Sequence, residues 1–441
     1  MTTQIILVLT IIVLMSISFF TEILPLAFTA LMVPVALQAT GILPASKAWA
    51  GFSNTTIITW IGLFIIGAVF AKTSFTYRIK IFVTKHAQGS PVKVMLMVLL
   101  SCTIMSVMTS ATSTIAVLTP ILMEICDETG ISPKRVFKPV ADVATWGAVQ
   151  MLPIGSSLSY FILFNTYLET AGTDLRYGLL DFTWIKFPMW VILLGYYVFI
   201  NRNLKIKSSS IEVKSEITDS NIASTPEIQK EQSNTTYTPT QERLAVFIFV
   251  ANVILMIIVS FTKVLPVYLI STSFASLAVG LKLISEKDAL KSVSWSTVFL
   301  VAGTLPLSSA ISSSGTGKWL SSILQTTFPS FNNPVMLATA FCIFSAILTQ
   351  FMSNTAVWAI ACPIAASMAI TLGMDPRLVV AGVASGAIIC FATPMAAPAC
   401  GYAYGISNFG MKEYIKMGWF PCVLLVLVFV LWAPIVLNWL Y

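Results

Sequence analysis

Long apolar stretches follow one another along almost the whole chain, separated by short polar segments. They predict helices at residues 4–20, 24–43, 53–71, 92–108, 113–126, 138–164, 183–200, 244–262, 264–283, 296–311, 334–350, 356–372, 378–409 and 417–438. Several are shorter than the roughly 20 residues that a helix needs to cross a bilayer. The short ones come in two pairs, 92–108 with 113–126 and 334–350 with 356–372, and each pair flanks one polar tripeptide. We predict two re-entrant hairpins, which are tolerated only where their backbone is buried in protein or lines a polar cavity.

The polar tripeptide of the first hairpin occurs again, with a single change, in the second. Ser110-Ala111-Thr112 matches Ser353-Asn354-Thr355 at an offset of 243 residues. Further matches at the same offset are Ala116 with Ala359, Pro120 with Pro363, Ile121 with Ile364, Gly130 with Gly373, Pro133 with Pro376 and Lys134 with Arg377. The chain is therefore predicted to contain two copies of one membrane unit. Paired interruptions at corresponding positions of two halves are typical of the substrate site of a transporter.

The two tripeptides have the chemistry of an anion site. Their hydroxyl groups donate and accept hydrogen bonds. The helices predicted to begin at Ser113 and Ala356 direct free backbone N–H groups and the positive ends of their dipoles at the turns. Such ends bind anions without a cationic side chain, and two of them meeting near the membrane centre would hold an anion with two carboxylates. The alternative is that the Ser and Thr side chains only cap the helices.

Two of the long predicted helices contain irregular points near their middle. The first reads MLPIGSS over 151–157 and the second ATPMAAP over 392–398. Proline removes a helix hydrogen bond and glycine permits unusual backbone angles, so we predict that both helices are broken; a simple proline kink is the alternative. Exposed carbonyl groups at a break bind a small cation, and exposed N–H groups bind an anion. The predicted substrate contacts are Ser110, Ala111, Thr112, Ser156, Ser157, Ser353, Asn354, Thr355, Ala397 and Pro398.

The composition is that of a membrane protein. Of 441 residues, 57% are hydrophobic and 10% are charged, which is too little charge to cover the surface of a soluble protein. The net charge of +7 comes from basic residues in loops and does not predict a nucleic-acid partner. The seven cysteines form no CxxC pair and the single histidine, His86, lies in a basic loop, so neither a metal nor another cofactor is predicted. The chain also lacks a nucleotide-binding glycine-rich loop and a Ser/His/Asp set, which disfavours ATP-driven transport and an enzyme.

The basic residues are divided unequally between two sets of loops. The loops around 72–93, 127–138, 201–243, 282–291 and 410–416 hold 19 of the 25 Lys and Arg residues. The positive-inside rule places these loops in the cytoplasm. Both termini are then outside the cell membrane and the hairpins enter from opposite sides, as in an inverted-topology repeat.

The domain boundaries follow the repeat and a change in composition. Residues 201–243 are rich in Ser, Thr, Lys, Glu, Gln and Asn and predict a flexible cytoplasmic linker. The first repeat is predicted at 1–200 and the second at 244–441. Their scaffold parts are 1–91 and 244–333, and their hairpin and transport helices are 92–200 and 334–441. Residues 74–88 and 317–328 predict amphipathic helices at the membrane surface.

Charged residues are absent from the centres of the predicted spans. Asp142 is the nearest carboxylate, close to the cytoplasmic start of its helix. We expect a solvated or capped acid at a helix start, with a role as a proton carrier as the alternative.

At the two tripeptides the chain resembles the divalent anion/sodium symporter family of di- and tricarboxylate carriers. The hallmark of that family is a Ser-Asn-Thr motif at each of two hairpin tips. Ser353-Asn354-Thr355 matches it fully, Ser110-Ala111-Thr112 lacks the Asn, and each is followed by a proline ten residues after its Ser. The resemblance covers nearly the whole chain. It implies a homodimer in the lipid bilayer, in which a moving transport domain carries small dicarboxylates past a rigid scaffold by an elevator mechanism.

The resemblance also implies where a coupling sodium ion would bind. Carried over by motif, the first cation site would comprise Ser110, Ala111 and Gly155, and the second Ser353, Asn354 and Ala396. The broken helices of the family end in Pro-Pro-Asn, where this chain has Ser157-Leu158-Ser159 and Pro398-Ala399-Cys400. A hard cation takes about six oxygen ligands, and Ala111 supplies no side-chain oxygen. We therefore expect sodium-independent exchange of dicarboxylates, as in the 2-oxoglutarate/malate translocators. The alternative is a sodium-coupled dicarboxylate or citrate symporter.

Two other classes fit the sequence less well. A channel does not need inverted hairpins that bury their own tips. A major-facilitator carrier also has two halves and a central linker, but its halves are parallel and consist of full spans.

Overall fold

The computed structural model describes residues 2–21, 23–74, 91–108, 110–129, 131–149, 152, 156–202, 237–262, 264–327, 333–394 and 397–440. These residues form α-helices and one 3-10 helix, and no β-strand occurs among them. The all-α fold class predicted from the apolar stretches is confirmed. The predicted surface helix at 74–88, His86 and most of the predicted linker lie outside the described residues.

The same order of helices occurs twice along the chain. The first series is Thr3–Thr21, Leu26–Ala39, Ala45–Ala48, the 3-10 helix Ala50–Ser53, Thr55–Ala71, Pro91–Met108, Ala111–Thr129, Pro133–Gly147, Ser156–Thr170 and Asp181–Asn201. The second is Pro239–Thr262, Val267–Gly280, Glu286–Ser292, Trp295–Thr304, Pro306–Ser313, Thr316–Thr327, Pro334–Leu348, Asn354–Thr371, Pro376–Gly386, Pro398–Ile406 and Met411–Leu440. Equivalent helices from the second onward to the second broken helix begin 240–243 residues apart. The predicted repeat is therefore present in the helix order as well as in the tripeptides.

The two halves exchange equivalent contacts through two glycines. Gly62 lies against the backbone of Ser271, and Gly303 lies against the backbone of Ala30. An added Cβ at Gly62 would come within 2.7 Å of Ser271, and one at Gly303 within 2.2 Å of Ala30. The two glycines lie 241 positions apart in the sequence, and so do their partners Ala30 and Ser271, so each half packs its fourth α-helix onto the second helix of the other. Small residues permit this close approach of helix backbones.

Both predicted helix breaks are present. The first helix stops at Gly147 and resumes at Ser156, and the second stops at Gly386 and resumes at Pro398. The predicted surface helix of the second half is the helix Thr316–Thr327. In the described part of the chain, the helices long and apolar enough to cross a membrane are Asp181–Asn201, Pro239–Met256, Trp295–Ser313, Asn354–Thr371 and Met411–Leu440.

The expectation that Asp142 is a solvated helix-start acid is wrong. Its side chain is fully buried, and it accepts hydrogen bonds from Lys138, which is also fully buried, and from Tyr197. The reason is that every residue of this helix from Val136 to Gly147 is buried, so the acid is enclosed by neighbouring helices. The signal in the sequence was the spacing of Lys138 and Asp142, because residues four apart lie on one helix face and form ion pairs.

Lys186 falls in the predicted apolar stretch 183–200, but its burial was not predicted. The structure buries it completely in the helix Asp181–Asn201. Its Nζ lies 5.7 Å from the ring centroid of Trp146 and 5.6 Å from that of Phe182. Cation–π contacts of this kind stabilise an ammonium group away from water.

Candidate functional site

Both tripeptides face one cavity of about 710 Å³. Eight of the ten predicted contact residues line it: Ser110, Ala111, Thr112, Ser353, Asn354, Thr355, Ala397 and Pro398. Ser157 does not line the cavity. Its hydroxyl is buried and has no hydrogen-bond partner among the described residues. Ser156 begins its helix at the first break, and its side chain lies outside the described part.

The first tip consists of Ser110 and the first turn of the helix Ala111–Thr129. The Ser110 hydroxyl accepts from the backbone N–H of Ser113 at 3.2 Å and donates to the Ser113 hydroxyl at 2.9 Å. The first backbone bond of the helix runs from the N–H of Thr114 to the carbonyl of Ser110. In this geometry the N–H groups of Ala111 and Thr112 have no intrahelical acceptor. The serine therefore caps the helix, and two further N–H groups remain at the cavity.

The second tip repeats this geometry with one additional contact. The Ser353 hydroxyl accepts from the N–H of Ala356 at 3.3 Å, and the first helical bond runs from Val357 to Ser353. The added side chain, Asn354, is held by the hydroxyl of Thr349, which lies 2.7 Å from its Oδ1. The capping interpretation is thus correct for both serines, but it accounts for only one N–H group at each tip.

A third helix begins at the same cavity. The helix Pro398–Ile406 starts after Ala397, whose extended backbone conformation ends the second break. Three helices therefore direct their N-terminal ends at one space, and each end carries a partial positive charge. None of the described residues that line the cavity is Asp, Glu, Lys or Arg. The site is consequently suited to an anion that is held by hydroxyl and N–H groups alone.

The opposite wall of the cavity was not predicted. It comprises Trp60, Phe64 and neighbours on the helix Thr55–Ala71, together with Ser292, Ser294, Ser296 and Thr297. The Tyr160 ring lies between those of Trp60 and Trp358, with centroids 6.1 Å and 5.2 Å away. A row of alternate serines before an apolar helix is a weak signal in the sequence, because the same pattern is common at helix starts.

Polar contacts join the two walls beside the cavity. The Thr56 and Thr166 hydroxyls lie 2.6 Å apart and are buried. The indole N–H of Trp60 donates to the carbonyl of Ser159 at 2.8 Å. These contacts fix the predicted scaffold helix Thr55–Ala71 against the predicted transport helix Ser156–Thr170.

The candidate cation residues are described only in part. Ser110, Ser353 and Asn354 lie at the tips as given above, and Ala111 lines the cavity. Gly155 and Ala396, which would supply the oxygen atoms of the breaks, lie outside the described residues.

The family model, the curated relative and the solved structure that match this chain are all transporters. A family model with the description "Citrate transporter" matches residues 11–382. The sodium-dependent dicarboxylate transporter SdcS of Staphylococcus aureus, strains USA300 and NCTC 8325 / PS 47, is 23% identical over 461 residues. That match covers 95% of this chain and 84% of the relative. The crystal structure of the YdaH transporter of Alcanivorax borkumensis is similar in fold, with a TM-score of 0.59 and 14% identity. It covers 92% of this chain and 88% of that chain.

Proposed function

Since the chain belongs to the citrate transporter family, we propose that it is a secondary active transporter of C4 and C5 dicarboxylates across the cytoplasmic membrane. The substrates in this proposal are malate, succinate, fumarate and 2-oxoglutarate. The resemblance to the di- and tricarboxylate carriers is confirmed by the family match. The prediction that the chain is a multi-pass membrane transporter and not an enzyme is confirmed as well.

The observation that carries the proposal is the meeting of two capped helix starts in one uncharged cavity. Each tip leaves two N–H groups and a threonine hydroxyl at the cavity, which is a suitable set of donors for one carboxylate. Two tips therefore match a small molecule with two carboxylates. The test is uptake of labelled 2-oxoglutarate or malate into liposomes that contain the protein and are loaded with unlabelled dicarboxylate. Uptake no greater than in protein-free liposomes would contradict the proposal.

Exchange without sodium is the coupling we propose. It is supported by Ala111, which supplies no side-chain oxygen at the first tip, and by the absence of a carboxylate among the described lining residues. Sodium symport is the second candidate, favoured by the name of the relative SdcS. Exchange requires a dicarboxylate on the opposite side of the membrane, whereas symport requires a sodium gradient.

Replacing Thr355 by alanine should weaken substrate binding. The change removes one hydroxyl donor from the second tip, and a lost hydrogen bond to a charged group costs roughly 1.5–3 kcal/mol, or about ten- to a hundredfold in affinity. Inhibition of labelled uptake by unlabelled dicarboxylate measures the effect. Thr371→Ala is the control, because its hydroxyl donates within the same helix, to the carbonyl of Ser367, and Thr371 does not line the cavity. Equal affinities of the two variants would exclude Thr355 from the site.

The proposed mechanism is an elevator in a homodimer with both termini outside. The cavity lies between the predicted scaffold and transport parts, which is where such a movement would carry the substrate past a fixed wall. The buried contact of Thr56 with Thr166 and the bond of Trp60 to Ser159 would have to break in each cycle.

A disulfide between cysteines placed at Thr56 and Thr166 should therefore stop transport. The two hydroxyl oxygens are 2.6 Å apart, close enough for the substituted side chains to join in this state. Oxidation of the double variant should abolish uptake and reduction should restore it. The single variants Thr56→Cys and Thr166→Cys should be insensitive to oxidation. Full uptake by the cross-linked double variant would contradict relative movement at this contact.

A further inference from the structure

Gln350 holds the second tip to the second helix break through its side-chain carboxamide. The Nε2 atom donates to the carbonyl oxygens of Ala346 at 2.8 Å and Ile389 at 2.7 Å. The Oε1 atom accepts from the backbone N–H of Ala392 at 3.0 Å. In addition, the Thr393 hydroxyl donates to the backbone carbonyl of Gln350. One residue thus joins two elements that are distant in the sequence.

The oxygen atoms around Gln350 belong to two helix ends of the same sign. Ala346 lies in the last turn of Pro334–Leu348, and Ile389 follows the end of Pro376–Gly386. The last carbonyl groups of a helix have no intrahelical partner and carry the negative end of its dipole. Two such ends repel one another unless hydrogen-bond donors or a cation lie between them.

A neighbouring hydroxyl supplies the remaining donor. Thr349 is fully buried, and its Oγ1 lies 2.6 Å from the carbonyl oxygen of Ala387 and 2.7 Å from Oδ1 of Asn354. The oxygens of Ala346, Ala387, Ile389 and Asn354 are the kind of ligand set that hard cations take. Here the two N–H donors of Gln350 bond to the oxygens of Ala346 and Ile389, and the single hydroxyl hydrogen of Thr349 is within reach of those of Ala387 and Asn354.

We infer that the Gln350 carboxamide does at the second tip what a coupling cation would do, and that this makes the tip independent of sodium. Gln350 does not line the cavity, so it is a positioning residue that acts on the substrate through the second helix break, where it bonds to Ile389 and Ala392. The inference rests on the proposed function for its substrate, a dicarboxylate carried without sodium.

The equivalent place in the first half does not hold such a residue. The repeat offset of 243 puts Val107 at the position of Gln350 and Ser106 at that of Thr349. Val107 has no side-chain donor, and the Ser106 hydroxyl donates to Thr103 within its own helix. The arrangement at Gln350 is therefore not a general requirement of the repeated fold.

Gln350→Glu tests the inference because it keeps the size of the side chain while it replaces the N–H donors by a negatively charged oxygen. A carboxylate beside the carbonyls of Ala346 and Ile389 should recruit a cation. Uptake by the variant should be about ten- to a hundredfold lower in choline than in sodium, the effect of one unsatisfied buried polar group. Wild-type uptake should be equal in the two salts. Gln38→Glu is the matched control, because Gln38 is exposed and its Oε1 accepts from the indole N–H of Trp49 at 2.7 Å.

A second measurement needs no substrate. An ion that binds only the folded protein raises its Tm. Sodium should therefore raise the Tm of the Gln350→Glu variant in detergent and leave the Tm of the wild type unchanged. Gln350→Ala, which removes the donors without adding charge, should show a smaller rise. The inference is overturned if sodium raises the Tm of neither variant, or if it raises the wild-type Tm by as much as theirs.

The two measurements separate this inference from the proposed function. A wild type that carries no dicarboxylate, together with a sodium-dependent Tm in Gln350→Glu, contradicts the function and supports the role of Gln350. A wild type that carries dicarboxylates in choline, together with variants that ignore sodium, supports the function and contradicts the role of Gln350.

Discussion

Liposomes that contain the protein but no internal dicarboxylate should take up almost no labelled malate, and sodium outside should not change this. The loaded carrier brings an anion to three positive helix ends, whereas the empty carrier leaves those ends without a partner. An unsatisfied polar group in a low-dielectric barrier costs about 1–3 kcal/mol, which slows the empty return by roughly tenfold to a hundredfold. The measurement is initial uptake with and without internal malate, in sodium and in choline.

Sodium-dependent uptake without internal dicarboxylate would identify the other coupling mechanism. Strong sodium-driven uptake into empty liposomes would show that a cation compensates the first tip despite Ala111, and the protein would be a symporter. Thr355→Ala should lower uptake in either case, so it checks that the signal comes from the tips. Internal sulfate in place of malate is a second control, which measures how far exchange depends on the shape of the counter-anion.

The fold was predictable because membrane helices are specified by local composition. The apolar stretches, the two tripeptides and the two proline-containing breaks are all visible in the amino-acid sequence, and the helices and interruptions lie where they predict. Glu286–Ser292 was missed because it is polar and short. Its signal was present, since Ser285 accepts from the N–H of Asp288 and such a spacing marks a helix start.

The site was predictable only on one side. Thr112 and Thr355 belong to a repeated motif, so the sequence itself relates them. Trp60 and Ser294 on the opposite wall belong to no motif, and they reach the cavity because each half packs its fourth α-helix onto the second helix of the other. Packing between distant helices depends on shape, which hydrophobic periodicity does not encode.

The burial of Lys138 and Asp142 could not be predicted from the local sequence either. The stretch around Lys138 and Asp142 has a polar composition that is typical of a helix start in solvent. Burial came from the helices around it, including Tyr197 and Cys400 from separate elements. A charged pair inside a membrane protein is costly and marks a position under strong structural or functional constraint.

Asp142→Ala should be among the most destabilising single changes in the chain. It would leave Lys138 charged, fully buried and without its carboxylate, and removing one partner of a buried pair costs about 3–5 kcal/mol. The Tyr414 ring, 4.6 Å from Lys138 Nζ, offers only weak compensation. Thermal unfolding of the purified protein in detergent measures the loss.

The double variant Lys138→Met with Asp142→Ala should recover much of the lost Tm, because it buries no unpaired charge. Lys134→Met is the control in the same helix, since its partner Glu413 is about half exposed, and it should change Tm little. A double variant as unstable as Asp142→Ala alone would show that packing, and not the unpaired charge, sets the cost.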